Sequence, residues 1–232
     1  MIKYLLIFLS VTGMAWLLYP LAAEYFMPDK LNDLATEYVL GSARDLNMPN
    51  TVTAVVVTYR GLDTLGEVTV LFLATAGVGF FLKRKKHIAT ERRAGSEILK
   101  TGSVILAPFI ILLGVYIFVH GHLTPGGGFQ GGVVVASAFL LLLMAYEHIS
   151  FSHNAINIVE SISGIGYVLI GLTGLLLLGI HHFLDPRWMN SGVWNKVFST
   201  GAVPLIYSLI GLKVGSEMSS MLDSLQSDGG EA

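Results

Sequence analysis

Six apolar stretches, at residues 4–23, 65–82, 101–120, 125–146, 156–181 and 200–220, constrain this chain more than any other feature. Each approaches the ~20 residues that a helix needs to cross about 30 Å of hydrocarbon at 1.5 Å per residue. Lipid offers no water to satisfy exposed backbone groups, so segments of this length are read as helices. The expected fold is an all-α integral membrane protein of about six transmembrane helices with a short amphipathic interfacial helix.

Composition supports this. Apolar residues make up 53% of the chain and charged residues 13%, where soluble domains carry about a quarter charged residues. A net charge of −2 gives no basic field for nucleic acid, so no nucleic-acid partner is expected. Cysteine is absent, which excludes disulfides, thiolate metal sites and iron–sulfur ligation. No cofactor is expected in this chain. The first apolar run follows Lys3 but ends in Trp16-Leu17-Leu18-Tyr19-Pro20 without a small-x-small cleavage pattern, so it reads as a retained anchor.

Charge asymmetry orients the spans. Lys83, Arg84, Lys85, Lys86, Arg92, Arg93 and Lys100 form a basic stretch. Placing it in the cytoplasm puts both termini there, with Lys3 and Lys213, and leaves Lys30, Arg44, Arg60, Arg187 and Lys196 outside. The same stretch, 83–100, reads as a linker between a two-helix region, 1–82, and a four-helix region, 101–222. Residues 223–232 read as a disordered tail. Between the first two spans, residues 31–46 alternate leucines and Tyr38 with Asp33, Glu37, Arg44 and Asp45, an amphipathic helix that Pro49 closes. Thr51–Tyr59 is valine-rich; a short interfacial helix satisfies its backbone better than an unpaired strand.

Three constellations carry candidate chemistry. In the first, Arg60, Asp63 and Glu67 share one face if the segment is helical. Acids inside a membrane are costly, about 2.5–3.5 kcal/mol at midplane, and tend to mark ion paths. The competing reading is a capping box, with Thr64 as N-cap and Glu67 reaching back. In the second, Gly121-His122-Leu123-Thr124-Pro125-Gly126-Gly127-Gly128-Phe129-Gln130-Gly131-Gly132, Thr124 and Pro125 read as N-cap and first helical residue. Gly127/Gly131 and Gly128/Gly132 have the spacing of close helix packing. No Gly-Lys-Ser/Thr follows, which excludes a phosphate loop. In the third, Glu160 and Lys213 lie at comparable depth in the fifth and sixth spans. They form either an interhelical pair or, instead, a Lys213–Glu217 pair along one helix with Lys213 snorkelling to the cytoplasm. His120, His122, His148, His153, His181 and His182 fall at helix ends and read as interfacial groups; His-Glu-x-x-His is absent.

Two of these motifs resemble one family. Residues 50–73, NTVTAVVVTYRGLDTLGEVTVLFL, resemble the C-terminal tail of the large A subunit of Mrp-type multisubunit Na⁺/H⁺ antiporters. Residues 120–132, HGHLTPGGGFQGG, with the helices that follow, resemble the small B subunit of the same antiporters. The ion-pumping body of A is missing, and the tail is joined directly to B. Related membrane-bound hydrogenases and sulfur-reducing respiratory complexes are expected to carry the tail as a separate small subunit. The resemblance implies a subunit of a translocating complex, either a stand-alone antiporter or such a redox complex, with the other subunits as partners. It implies Na⁺ as a possible transported ion. It implies ion-handling roles for Glu67, with Asp63 and Arg60 beside it, and Glu160 and Lys213 join them as candidates. Any redox chemistry would belong to partner subunits. A purely structural subunit and an autonomous transporter are the competing classes.

Overall fold

A computed structural model describes residues 2–23, 30–84, 95–146, 152–177, 183–189 and 192–227. Among these residues there are helices and connecting turns and no strand. The linker residues 85–94, together with His148, His181 and His182, lie outside the described residues. Two compact units are present, Met1–Glu37 and Tyr38–Ala232.

The first unit is dominated by α1 (Ile2–Ala23), of which residues 3–23 are exposed within that unit. A helix apolar all round and covered by no other part of its own unit needs lipid or another protein against it. Helix α2 (Asp33–Arg44) follows, close to the amphipathic helix expected from the sequence. Its Tyr38 stacks on Tyr59 at 4.9 Å, and Gly41 and Ser42 are buried.

Thr51–Tyr59 is helical: one α-turn, α3 (Thr51–Thr53), runs into a π-helix at Ala54–Tyr59. After Arg60, which leaves helical geometry, α4 (Gly61–Arg84) begins. The early start removes the capping box. Thr64 already lies in the helix, buried, and its hydroxyl donates to the Val56 carbonyl at 2.6 Å. Thr64 thus bonds a carbonyl of the π-helix and does not cap α4.

The rest of the second unit is built from α5 (Glu97–Val119), α6 (Gly128–Ala145), α7 (His153–Leu177) and α8 (Val203–Ser227). Five helices, α1, α4, α5, α6 and α7, are long and apolar enough to cross a membrane. Helix α8 has the length, 25 residues, but is more polar, with Lys213, Glu217 and Asp223 along it. It packs against α4, α5, α6 and α7 and so hides that polarity inside the bundle. Asp223 is buried and α8 continues to Ser227, so the tail expected from residue 223 is helical over its first five residues.

Helix α6 starts three residues later than Thr124-Pro125 suggests. Gly126 takes a φ of +157°, which no helix allows, and Gly127 caps α6 through its backbone alone. Thr124 instead turns back and donates to the His120 carbonyl at the end of α5. The extended glycines let α6 enter between α5 and α8 at close range. A Cβ on Gly131 would lie 2.6 Å from the Gly114 carbonyl oxygen of α5. On Gly132 it would lie 2.7 Å from the Gly211 carbonyl oxygen of α8, and on Gly128 2.6 Å from Ile210. A Cβ on Gly127 would meet the movable end of Gln130 at 2.8 Å and Tyr207 at an ordinary 3.4 Å.

Candidate functional site

The two motifs that carried the resemblance meet in space. Asn50 caps α3, its side-chain oxygen accepting from the Val52 and Thr53 amides. Its amide nitrogen donates to the Gly121 and Thr124 carbonyls at 2.8 and 3.0 Å, and its backbone N–H donates to the His122 carbonyl. Thr53 donates to the Gly121 carbonyl at 2.6 Å, and the Tyr207 hydroxyl of α8 donates to Thr53. This network buries the α5–α6 turn beneath α3. His122 within it is fully buried, and desolvation pushes its imidazole below the ordinary histidine range, so it is held neutral. Beyond it, buried Asp185 binds Arg187 through two oxygens, the shortest contact 2.6 Å, and Asn47 ties α2's exit to the carbonyls of Gly192 and Ser199. Sequence reasoning passed over Asn50 and Asp185. Their signals were present: an Asn just ahead of a helical run, and an Asp-Pro turn.

The candidate ion residues lie on α4, α7 and α8. Arg60 and Asp63 form an exposed pair at 2.5 Å beside the start of α4. Glu67 is exposed six residues into α4, about 9 Å along the span at 1.5 Å per residue. The hydroxyl of Tyr167, buried on α7, has no hydrogen-bond partner among the described residues. Asp63 and Glu67 thus lie one turn apart on α4, while Arg60 sits at the break before it.

Between α4, α7 and α8, the Lys213 ammonium contacts Glu217 Oε1 at 2.6 Å. The side chain of Lys213 is 12% exposed and that of Glu217 1%. The ammonium lies 5.2 Å from the centre of the Phe72 ring of α4, a cation–π contact, and the stem runs against Gly164 of α7. Of the two arrangements open from sequence, the pair along one helix is the one formed. Lys213 does not snorkel, because Phe72 covers it. No ion pair joins Glu160 to Lys213 among the described residues; Glu160 and Glu217 instead line one cavity of about 360 Å³ between α4, α7 and α8.

Residues 98–220 match the family described as a domain related to the MnhB subunit of Na⁺/H⁺ antiporters. The chain belongs to this family. Relatives include an uncharacterized protein of Methanocaldococcus jannaschii, 29% identical over 89% of this chain and 85% of that protein. The B subunit of the Na⁺/H⁺ antiporter of Bacillus subtilis is 33% identical over 38% of this chain and 55% of its own length. Among solved structures, a chain of the membrane-bound sulfane sulfur reductase, an archaeal respiratory membrane complex, superposes with a TM-score of 0.80. It is 43% identical, over 97% of this chain and 98% of that one. A chain of the Mrp complex from Dietzia sp. DQ12-45-1b superposes with a TM-score of 0.71 at 25% identity, over 98% of this chain but 26% of that one. The reductase chain therefore carries both regions in one polypeptide, where a separate small subunit was expected. The MnhB-related region contributes α5–α8, and α4 completes the seam that holds the carboxylates.

Proposed function

We propose that this MnhB-related chain is a membrane subunit of a multisubunit cation/proton-translocating complex and forms part of its ion path along α4, α7 and α8. The observation that carries the reading is the set of ionisable groups on these helices: Lys213, Glu217 and Glu160 gathered between α4, α7 and α8, with Asp63 and Glu67 exposed one turn apart near the start of α4. Ionisable side chains inside a membrane face protein or water and serve transport far more often than packing. The host is a stand-alone Mrp-type antiporter or a respiratory complex of the reductase kind. The 43% identity over nearly the full length favours the second. Redox chemistry, where the host has it, belongs to partner subunits; this chain transports, with Na⁺ as the candidate ion beside the proton. The region 1–82 acts as the A-tail part and 101–222 as the B part.

Glu67 is exposed on α4, so a neighbouring subunit or water must cover it in the membrane. Glu67→Gln keeps the shape and removes the charge. In the assembled complex it is expected to abolish sodium-linked proton exchange in proteoliposomes while assembly persists. Normal exchange by this variant would leave the scaffold reading in place.

The chain is placed in the cytoplasmic membrane with both termini inside, on the strength of the basic stretch around Lys86. Cysteines substituted at Lys86 and Trp188 are expected to label from opposite faces of sealed vesicles. Labelling from one face rejects the orientation.

A further inference from the structure

We propose that the cavity between α4, α7 and α8 is an exchange site for one proton or one small monovalent cation, and that the Glu217 carboxylate is its exchanging group. The proposal rests on the translocation reading above and adds to it a residue, a place and a charge rule. Glu217 is 1% exposed, and its Oε2 has no hydrogen-bond partner among the described residues although it lines the cavity. A buried carboxylate oxygen left unpartnered is costly unless something occupies the space before it.

The charges facing Glu217 make the same demand. Lys213 reaches it along α8, Glu160 faces it from α7, and α4 contributes Phe72, Thr75, Ala76, Gly79 and Phe80, none of them charged. Among the described residues that line the cavity or touch Glu217, two carboxylates against one ammonium leave one negative charge in excess. A single positive charge restores neutrality, and a divalent ion would overshoot it. The lining suits a hard monovalent cation or a proton: Thr75, Ser220 and Ser224 add hydroxyl oxygens to the two carboxylates. About 360 Å³ holds several waters at roughly 30 Å³ each, enough for a hydrated approach. The step balances without redox partners. A bound cation leaves the carboxylate as a proton arrives, giving the neutral acid, and the reverse reloads it. With Glu217 neutral, the Lys213 ammonium and the Glu160 carboxylate balance in charge across the cavity.

The test uses the complete complex, isolated through a tag on this chain and reconstituted in proteoliposomes. Exchange is followed with a pH-sensitive dye, and infrared difference spectra are taken with sodium and with choline in its place. The wild type should show a protonated-carboxyl band on sodium removal. Glu217→Gln should lose that band and slow exchange about tenfold or more. A band that follows pH and not sodium supports the site with the proton as its occupant. If Glu217→Gln does not assemble, Glu217→Asp replaces it and should shift the band. Normal exchange and an unchanged band in a Glu217 variant overturn the proposal, as does a wild type with no such band. Loss of exchange in Glu67→Gln beside a normal Glu217→Gln overturns the cavity alone; normal exchange in both overturns the translocation reading as well.

Discussion

Gly131→Ala and Gly132→Ala are each expected to destabilise the bundle by about 1–3 kcal/mol, the usual cost of forcing an extra carbon into a packed interior. The reason is geometric. At Gly131 the new Cβ would meet the Gly114 carbonyl oxygen at 2.6 Å, and at Gly132 the Gly211 carbonyl oxygen at 2.7 Å. Backbone oxygens cannot rotate away, so whole helices must separate. Gly127→Ala serves as the control. Gly127 has a φ of 161°, ordinary extended backbone, and its Cβ would crowd only the movable Gln130 side-chain end, with Tyr207 at an ordinary 3.4 Å. Thermal unfolding of the purified complex, read by intact-complex recovery, should show losses at Gly131 and Gly132 and little change at Gly127. Equal tolerance at all three positions would mean that these glycines serve only the turn.

That contrast also shows how far the sequence can be read. The spacing of the glycines announced close packing but could not say that Gly131 serves α5 while Gly128 and Gly132 serve α8. A four-residue repeat marks a face, and the partner of each face is a tertiary matter. The spans were legible because a membrane demands length and apolarity at once. The sequence marks residues 200–220 as a sixth span, but α8 is not among the five helices apolar enough to cross by composition, and its role as the hub emerges only in the fold: Tyr207, Ile210 and Val214 join the core cluster, and its charges are covered by neighbours.

The misreadings share a cause. Thr64-x-x-Glu67 and Thr124-Pro125 both carry helix-start signals, and neither starts a helix. Helix α4 has already begun at Gly61, ahead of Thr64, and the φ of Gly126 forbids a helix where Pro125 would begin it. Local signals of this kind yield when tertiary packing sets the backbone. From sequence, Glu217 is only a partner for Lys213, because spacing along one helix cannot show that Glu160 of α7 lines the same space.

Lys213→Met should be the most damaging single change on the seam, and adding Glu217→Gln should restore much of the loss. Removing one partner of a buried ion pair typically costs about 3–5 kcal/mol, because the other charge is left uncompensated, whereas removing both is mild. The two halves of this pair are not equivalent. Without Lys213, Glu217 and Glu160 line one cavity with no cation between them. Without Glu217, the ammonium keeps the Phe72 ring, and Glu160 remains across the cavity as an alternative partner. Stability of the assembled complex is therefore expected to fall in the order Glu217→Gln, the double variant close to it, and Lys213→Met well below both. Exchange should be lost in the double variant even where assembly recovers, since the carboxylate is gone. Thermal midpoints of the four proteins form a double-mutant cycle. Additive effects would show that Lys213 and Glu217 are energetically independent despite their 2.6 Å contact.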